Sequence, residues 1–189
     1  MINRITIQVY QVGLVFEKGK LINVLEAGSY WIFGNKKVHI YEMKQSFVAP
    51  IELTILLQNE KLASMLEVVE IADNEIALYY VNGMFKEVLT TGRYAFWKGY
   101  LNNEFTKIDL SKVDITETVP VALLENIKVR AYTRKYQVLN FEKGLLFVNG
   151  AFVKELAAGN YYFWNNATPI EFKNVDIRQQ QMEIAGQEL

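Results

Sequence analysis

The sequence predicts a mainly β protein made of three tandem, small antiparallel β-meander modules that pack on one another, with at most one or two short helices in the linkers. The first observation behind this prediction is a threefold internal repeat. It aligns without gaps when Gly19, Gly83 and Gly150 are placed in register, 64 and 67 residues apart. This spacing exceeds the ~20–50 residues typical of solenoids and propeller blades, so it favours separate modules. Five columns are identical in all copies: Leu14, Leu78 and Leu145; Gly19, Gly83 and Gly150; Leu25, Leu89 and Leu156; Gly28, Gly92 and Gly159; Tyr30, Tyr94 and Tyr161.

The second observation is a hairpin signal at the centre of the copies. Asn82-Gly83 and Asn149-Gly150 each follow a short apolar run, and the first copy has Lys18-Gly19 at this place. Asn-Gly is the strongest two-residue hairpin signal, because a type I′ turn needs positive φ at both central positions. In the third copy the next strand, AFVKEL, breaks its alternation at Lys154, which predicts a β-bulge.

The remaining elements follow in the same order in each copy. The second glycine column (Gly28, Gly92 and Gly159) predicts a further turn with positive φ. An aromatic strand comes next, YYFW in the third copy. A last strand follows a loop and reads KVHIYEM, FTKIDLS or IEFKNVDI in the three copies. Each module is therefore predicted to be an antiparallel meander of about four strands.

The predicted organisation places module 1 at residues 1–47, a linker at 48–66, module 2 at 67–118 and module 3 within 119–189. Asn59 is predicted to cap a short helix that ends at Met65, with Leu62 on its apolar face. The β-branched flanks of this linker and the segment IKVRAYT before module 3 are predicted as strands. Modules of about 60 residues are only marginally stable alone, so we expect them to share cores.

Composition excludes several classes of function. A net charge of −1 gives no electrostatic reason to expect binding to nucleic acid. Without cysteine the chain has no disulfide, thiolate nucleophile or cysteine-bound zinc. The first ten residues lack the apolar core of a signal peptide, and no stretch approaches the ~18 apolar residues of a membrane helix. We therefore expect a cytoplasmic protein.

Catalytic chemistry has little support in the sequence. His39 is the one histidine, and a strand histidine is more often structural than catalytic. Asp109, Asp114 and Asp176 lie at predicted strand ends, where polar roles in turns are the ordinary interpretation. Neither a P-loop nor a Rossmann glycine cluster is present. We therefore predict no catalytic, cofactor-binding or metal-ligating residue and no enzymatic activity.

The aromatic strand of each module has two interpretations. In the third copy Tyr161 and Phe163 should point to one face and Tyr162 and Trp164 to the other. Either both faces are buried, the second one by a neighbouring module, or the strand is an exposed platform for sugars or bases. Burial is the general tendency of aromatic side chains. A co-planar, exposed row made by the tyrosine column would instead favour a module that binds glycans or peptides.

The third copy and the residues after it contain a further motif, whose most specific part is VDIRQQQMEIAGQEL. Its residues are Glu142, Gly144, Phe147, Gly150, Leu156, Gly159, Asp176, Ile177, Arg178, Gln187 and Glu188. This motif resembles the opening of the stomatin/prohibitin/flotillin (SPFH, or band 7) domain, and the closest similarity is to the bacterial slipins, a stomatin-like branch in which related β segments precede the band 7 opening.

The resemblance implies a non-enzymatic scaffold that assembles into membrane-associated oligomers and binds other proteins, with no small-molecule substrate or cofactor. It implies self-association of the full-length protein and a peripheral place at the inner face of the membrane. Residues 119–189 would then hold module 3 and the start of a band 7-like domain. The chain departs from stomatins in lacking an N-terminal membrane hairpin and in stopping at Leu189, so we expect an N-terminal piece of a longer protein.

Overall fold

The structure, a computed structural model, describes residues 2–178. The chain divides into two compact units, Met1–Ile108 and Asp109–Leu189. The first unit contains the first two copies of the repeat, and the second contains the third copy. Gln187 and Glu188 of the band 7-like segment, with the rest of 179–189, lie outside the described residues.

Short strands dominate the described part of the chain, with a few helical turns in the two linkers. The strands are β1 (Ile2–Ile7), β2 (Gln11–Glu17), β3 (Lys20–Leu25), β4 (Gly28–Phe33), β5 (Lys37–Glu42), β6 (Leu66–Ile71), β7 (Glu75–Val81), β8 (Met84–Leu89), β9 (Gly92–Trp97), β10 (Asn103–Asp109), β11 (Thr133–Val138), β12 (Glu142–Val148), β13 (Ala151–Leu156), β14 (Gly159–Trp164) and β15 (Ile170–Asp176). The helices are α1 (Leu53–Leu56), α2 (Glu60–Met65) and α3 (Val121–Leu124), and Arg130–Tyr132 forms a 3-10 turn.

The predicted fold class is confirmed, since the protein is mainly β with three copies of one antiparallel module, although the linkers contain three short helices and the prediction allowed one or two. Each module has five strands, one more than the sequence predicted. The first and fourth strands form a two-stranded sheet, and the second strand lies between the third and fifth in a three-stranded sheet. The first strand was not predicted as part of each module because it lies outside the repeated motif. It pairs with the fourth strand, about 25 residues further along the chain.

The central hairpins have the predicted turn in all three modules. The φ angles are 49° and 81° at Lys18 and Gly19, 50° and 75° at Asn82 and Gly83, and 52° and 78° at Asn149 and Gly150. Positive φ at both positions defines a type I′ turn. The predicted bulge is confirmed as well. The pairing register shifts between Leu146 and Phe147, and also at the corresponding points of modules 1 and 2.

The two sheets of a module face each other across a small core. In module 1 this core contains Ile7 of β1 with Val15 and Leu25 of the three-stranded sheet. In module 3 it contains Val138, Leu146, Leu156 and Phe163. We call the face of each sheet that points away from this core its outer face.

Modules 1 and 2 are joined by a second, larger core. It covers the outer face of the three-stranded sheet of module 1, where Val12, Leu14 and Phe16 are buried. From the other side it includes Trp97 and Ala95, which lie on the outer face of the two-stranded sheet of module 2. Phe47, Leu56 and Leu62 of the linker are buried in the same cluster. Strand β2 is therefore buried on both faces, which explains its uninterrupted apolar run.

The first linker confirms one predicted helix and corrects its flank. Helix α2 is capped by Asn59, whose Oδ1 accepts a hydrogen bond from the Leu62 backbone N–H at 3.0 Å. The segment before it, predicted as a strand from its β-branched residues, forms helix α1, with Glu52 as N-cap. Burial of Leu56 in the joint core outweighs the strand preference of Ile and Thr.

The second linker also contradicts a strand prediction. The segment IKVRAYT turns through Asn126–Lys128 and a 3-10 turn, and strand β11 begins only at Thr133. Asn126 explains the difference, because its side-chain oxygen accepts from the Lys128 N–H and its backbone oxygen from the Arg130 N–H, at 2.9 and 2.8 Å. Local side-chain capping of this kind competes with an extended backbone.

Candidate interaction surfaces

The tyrosine column holds the turn before the fourth strand of each module. The Tyr30, Tyr94 and Tyr161 hydroxyls each donate to the backbone carbonyl four residues earlier, at 3.0, 3.0 and 2.9 Å. Each ring lies against the glycine two residues before it, whose φ angle is between 149° and 156°. The rings are half-buried and pack on the cores of their own modules. This column therefore acts in folding, as a tyrosine corner does.

The aromatic strands of modules 2 and 3 are buried, as the packing interpretation predicted. Phe96 and Trp97 are 2% and 1% exposed, and Phe163 and Trp164 are equally enclosed. In module 3 the Trp164 indole N–H donates to the Glu117 carboxylate at 3.1 Å. These side chains leave no stacking platform on either module.

Module 1 differs at the same positions. Phe33 pairs with Ile2 as Trp97 pairs with Leu66, and Trp31 pairs with Arg4 on the same outer face. Ile2 and Trp31 are each 60% exposed, and Phe33 is 56% exposed. The Arg4 guanidinium lies 5.9 Å from the centre of the Trp31 ring. The two-stranded sheet of module 1 thus presents an apolar surface, which we call the open face of module 1.

His39 has the structural role that the sequence predicted. Its ring packs edge-on against Phe16, with the ring centres 5.4 Å apart. The two rings line a pocket of about 400 Å³, together with Lys18, Lys37 and Ile51. The pocket combines an apolar wall with two cationic side chains, and its lining residues include neither a carboxylate nor a hydroxyl nucleophile.

Asp109 and Asp176 take strand-end roles, as predicted, whereas Asp114 lies beyond the end of β10 in an isolated β-bridge with Phe163. Asp109 accepts a hydrogen bond from the Ser111 N–H at 2.9 Å, and Asp114 lies 3.4 Å from the Lys154 ammonium. Asp176 accepts from the backbone N–H and the guanidinium of Arg178. The Arg178 hydrogen bonds hold the pKa of Asp176 below its usual value. None of the three is part of a group that could hold a metal, and the described residues contain no such group.

A polar cluster that the sequence did not reveal covers the outer face of the two-stranded sheet in module 3. Glu125, just after helix α3, accepts hydrogen bonds from the Lys135 ammonium at 2.6 Å and from the Tyr162 hydroxyl. These bonds lower the pKa of Glu125, and the same carboxylate raises the pKa values of Lys135 and Tyr162. The sequence did not predict this cluster because Glu125 is ten residues from Lys135 and 37 residues from Tyr162 along the chain.

This cluster predicts a pH-dependent loss of stability. Because the folded pKa of Glu125 is lowered, its contribution to stability is present above its usual pKa of 4.5. That contribution is lost as the pH falls through the lowered pKa. Because the folded pKa of Lys135 is raised, its contribution to stability is present below its usual pKa of 10.5 and is lost as the pH rises through the raised pKa. Glu125→Gln should therefore lower the Tm at neutral pH, with the difference from the wild type disappearing in acid.

Thermal unfolding at neutral and acidic pH measures this effect. Glu171→Gln is the matched control, because Glu171 pairs with a single lysine at 2.9 Å and should change the Tm less. A Tm difference for Glu125→Gln that is the same at both pH values would contradict the proposed role of its charge.

Two apolar grooves lie beside the linker that joins modules 1 and 2. One, of about 310 Å³, is lined by Val9, Met43 and Met65 among others. The other, of about 300 Å³, lies between the start of the linker and strand β9, with Val48 and Leu53 on its wall. Val9 and Val48 are among the most exposed apolar side chains of the described residues. We call these the junction grooves, and each combines residues from more than one module or linker.

None of the described helices is long and apolar enough to cross a membrane. Comparison with known proteins gives no relative: no protein-family model matches the chain, and neither the curated proteins nor the solved structures include a match.

Proposed function

We propose that this chain is a non-enzymatic scaffold of the slipin type, in the SPFH or band 7 superfamily. It binds other proteins and contributes to an oligomeric assembly at the membrane. Its place is in the cytoplasm, peripheral to the inner face of the membrane. The observation that carries the proposal is the joint core of modules 1 and 2, which makes two small repeats into one body with a composite surface.

The structural roles of the repeated residues support the scaffold proposal. The repeated glycines and tyrosines form turns and fix strands, so the features that the three copies share serve the fold. His39 and the three aspartates are likewise engaged, in ring packing, turn contacts and ion pairs. The outer faces differ in what they expose, since Phe33 of module 1 is 56% exposed and Trp97, at the corresponding position of module 2, is 1% exposed. A scaffold would distinguish its partners through such differences.

The sequence resemblance supplies the family. Its described residues all lie in module 3: Glu142, Gly144 and Phe147 on β12, Gly150 in the hairpin turn, Leu156 on β13, Gly159 at the start of β14, Asp176 at the end of β15, and Ile177 and Arg178 just after it. Glu142 and Asp176 are direct partners in the register of the three-stranded sheet. The spacing of the motif therefore corresponds to one compact structural unit of this chain.

Substitutions in the two junction grooves test the proposal. Val9→Asp and Val48→Asp should each weaken retention of the same native-host partners in a pull-down, because a buried carboxylate is costly at an apolar interface. Met84→Asp is the matched control, since Met84 is 70% exposed at a hairpin tip away from the grooves. Full retention of every partner by both groove variants would contradict the proposal.

The second candidate function is a module that binds glycans or peptides. The exposed Trp31 and Phe33 on strand β4 favour it, because aromatic side chains on one sheet face can stack on a sugar ring. Saturable quenching of tryptophan fluorescence by an oligosaccharide, abolished in Trp31→Ala and retained in Met84→Ala, would establish this function in place of the scaffold.

A further inference from the structure

The open face of module 1 occupies a position that the other two modules cover. In module 2 the outer face of the two-stranded sheet carries Leu66, Ala95 and Trp97, and all three are buried in the joint core. In module 3 the corresponding face is covered by the preceding linker, through Glu125 and Glu117. Module 1 has the same strands in the same register, yet Ile2, Trp31 and Phe33 are exposed.

The joint core shows what kind of surface fits this face. There, the partner of the two-stranded sheet is the outer face of a three-stranded sheet, on which Leu14 is fully buried. In module 2 the matching residues Ile76 and Leu78 are also buried. Among the described residues, the outer face of a three-stranded sheet is open only in module 3.

The open face of module 3 is built on strands β12, β13 and β15. Leu145 and Phe147 correspond to Leu14 and Phe16 but are partly exposed, and Phe152, the counterpart of Leu21, is 57% exposed. The Phe147 and Phe152 rings touch edge to face, with centres 5.6 Å apart. Two ion pairs flank these rings, Lys143 with Glu155 and Lys173 with Glu171.

We infer that the open face of module 1 binds the open face of module 3 of a second copy, so that the chains associate head to tail. This inference rests on the proposed scaffold function and assigns it a self-association surface. The intermolecular contact repeats the pairing of sheet faces found in the joint core.

Side-chain size and charge support this pairing. The joint core contains a layer of linker residues, and each open face carries at one position a larger side chain that can take part of its place. Trp31 stands where module 2 has Ala95, and Phe152 stands where module 1 has Leu21. Arg4, beside Trp31, offers a cation to the carboxylates of Glu155 and Glu171 at the edge of the partner face.

A contact between two different faces leaves one face of each kind open in a pair of bound copies. Assembly therefore continues into open chains, or into rings where the rotation from copy to copy closes. Sedimentation velocity of the 189-residue chain over a wide concentration range should show masses that grow past the dimer, because association follows mass action. A chain that stays monomeric at every concentration would overturn the inference.

Two variants distinguish head-to-tail association from other arrangements. Trp31→Glu removes one face and Phe152→Glu the other, so each variant alone should be monomeric. A mixture of the two retains one intact contact and should form dimers and nothing larger. Met84→Glu, a change at a similarly exposed site on neither face, should associate as the wild type does.

Other outcomes would overturn the inference in specific ways. If Trp31→Glu alone abolishes association and Phe152→Glu has no effect, two module 1 faces pair symmetrically. If only Phe152→Glu matters, module 3 binds itself. Phe33→Glu and Phe147→Glu repeat the test at second positions, and circular dichroism verifies folding. A monomeric chain whose partners are still lost in the junction-groove variants would leave the scaffold function intact and remove only self-association.

Discussion

Replacing Trp97 by alanine is expected to lower the free energy of unfolding by about 3–5 kcal/mol, the range for removing a large aromatic side chain from a core. Trp97 is 1% exposed, and its ring lies 5.2 Å from that of Phe47 in the core shared by modules 1 and 2. The cavity left behind would open between two modules and the linker at once. Equilibrium chemical denaturation followed by circular dichroism measures the change.

The repeat supplies a matched control for this experiment. Phe33→Ala makes a similar truncation at the corresponding position of module 1, where the side chain is 56% exposed. At a concentration where the chain is monomeric, it should change the free energy of unfolding by no more than about 0.5 kcal/mol. Equal losses in the two variants would mean that the joint core does not depend on Trp97.

Gly28→Ala is expected to cost close to 3 kcal/mol, at the upper end of the range for a residue forced into a rare backbone conformation. Two effects combine at this site. Gly28 has a φ angle of 154°, and a Cβ atom would lie 3.2 Å from the Tyr30 hydroxyl oxygen, closer than ordinary contacts. That hydroxyl also fixes the turn through its bond to the Glu26 carbonyl.

Gly19→Ala separates the two effects. Gly19 has a φ angle of 81°, and a Cβ atom there would have no neighbour within 4 Å. Only the left-handed backbone is penalised, by about 1–2 kcal/mol. Chemical denaturation of both variants should therefore rank Gly28→Ala as the more destabilised. The reverse order would show that contact with the tyrosine ring does not limit the second glycine column.

The elements that sequence predicted well are those determined by neighbouring residues. Asn149-Gly150 specifies its turn through the backbone preferences of two residues, and Asn59 caps helix α2 through a side chain three residues away. The pairing of the first strand with the fourth is different. Its residues differ between copies, as Ile2, Leu66 and Thr133 show, because each faces a different neighbour. The internal repeat therefore predicted the hairpin of each module but not its first strand.

The surfaces were harder to predict for the same physical reason. Leu14 and Leu145 occupy one column of identical residues, yet the first is fully buried and the second partly exposed. Exposure depends on what the next module or linker places against that column, which the column itself does not encode. The Glu125 cluster likewise depends on a linker turn that brings a carboxylate to a lysine and a tyrosine from different strands.

The joint core also has a consequence for the newly made chain. Strand β5 completes the sheets of module 1 at Glu42, but the core that covers the outer face of its three-stranded sheet needs Trp97. At ~5–20 residues per second, a ribosome takes roughly 3–11 s to add the intervening residues. During that interval Val12, Leu14 and Phe16 remain without their final neighbours. Module 1 is thus a nascent-chain segment on which a chaperone for exposed apolar surface would act before the second module emerges.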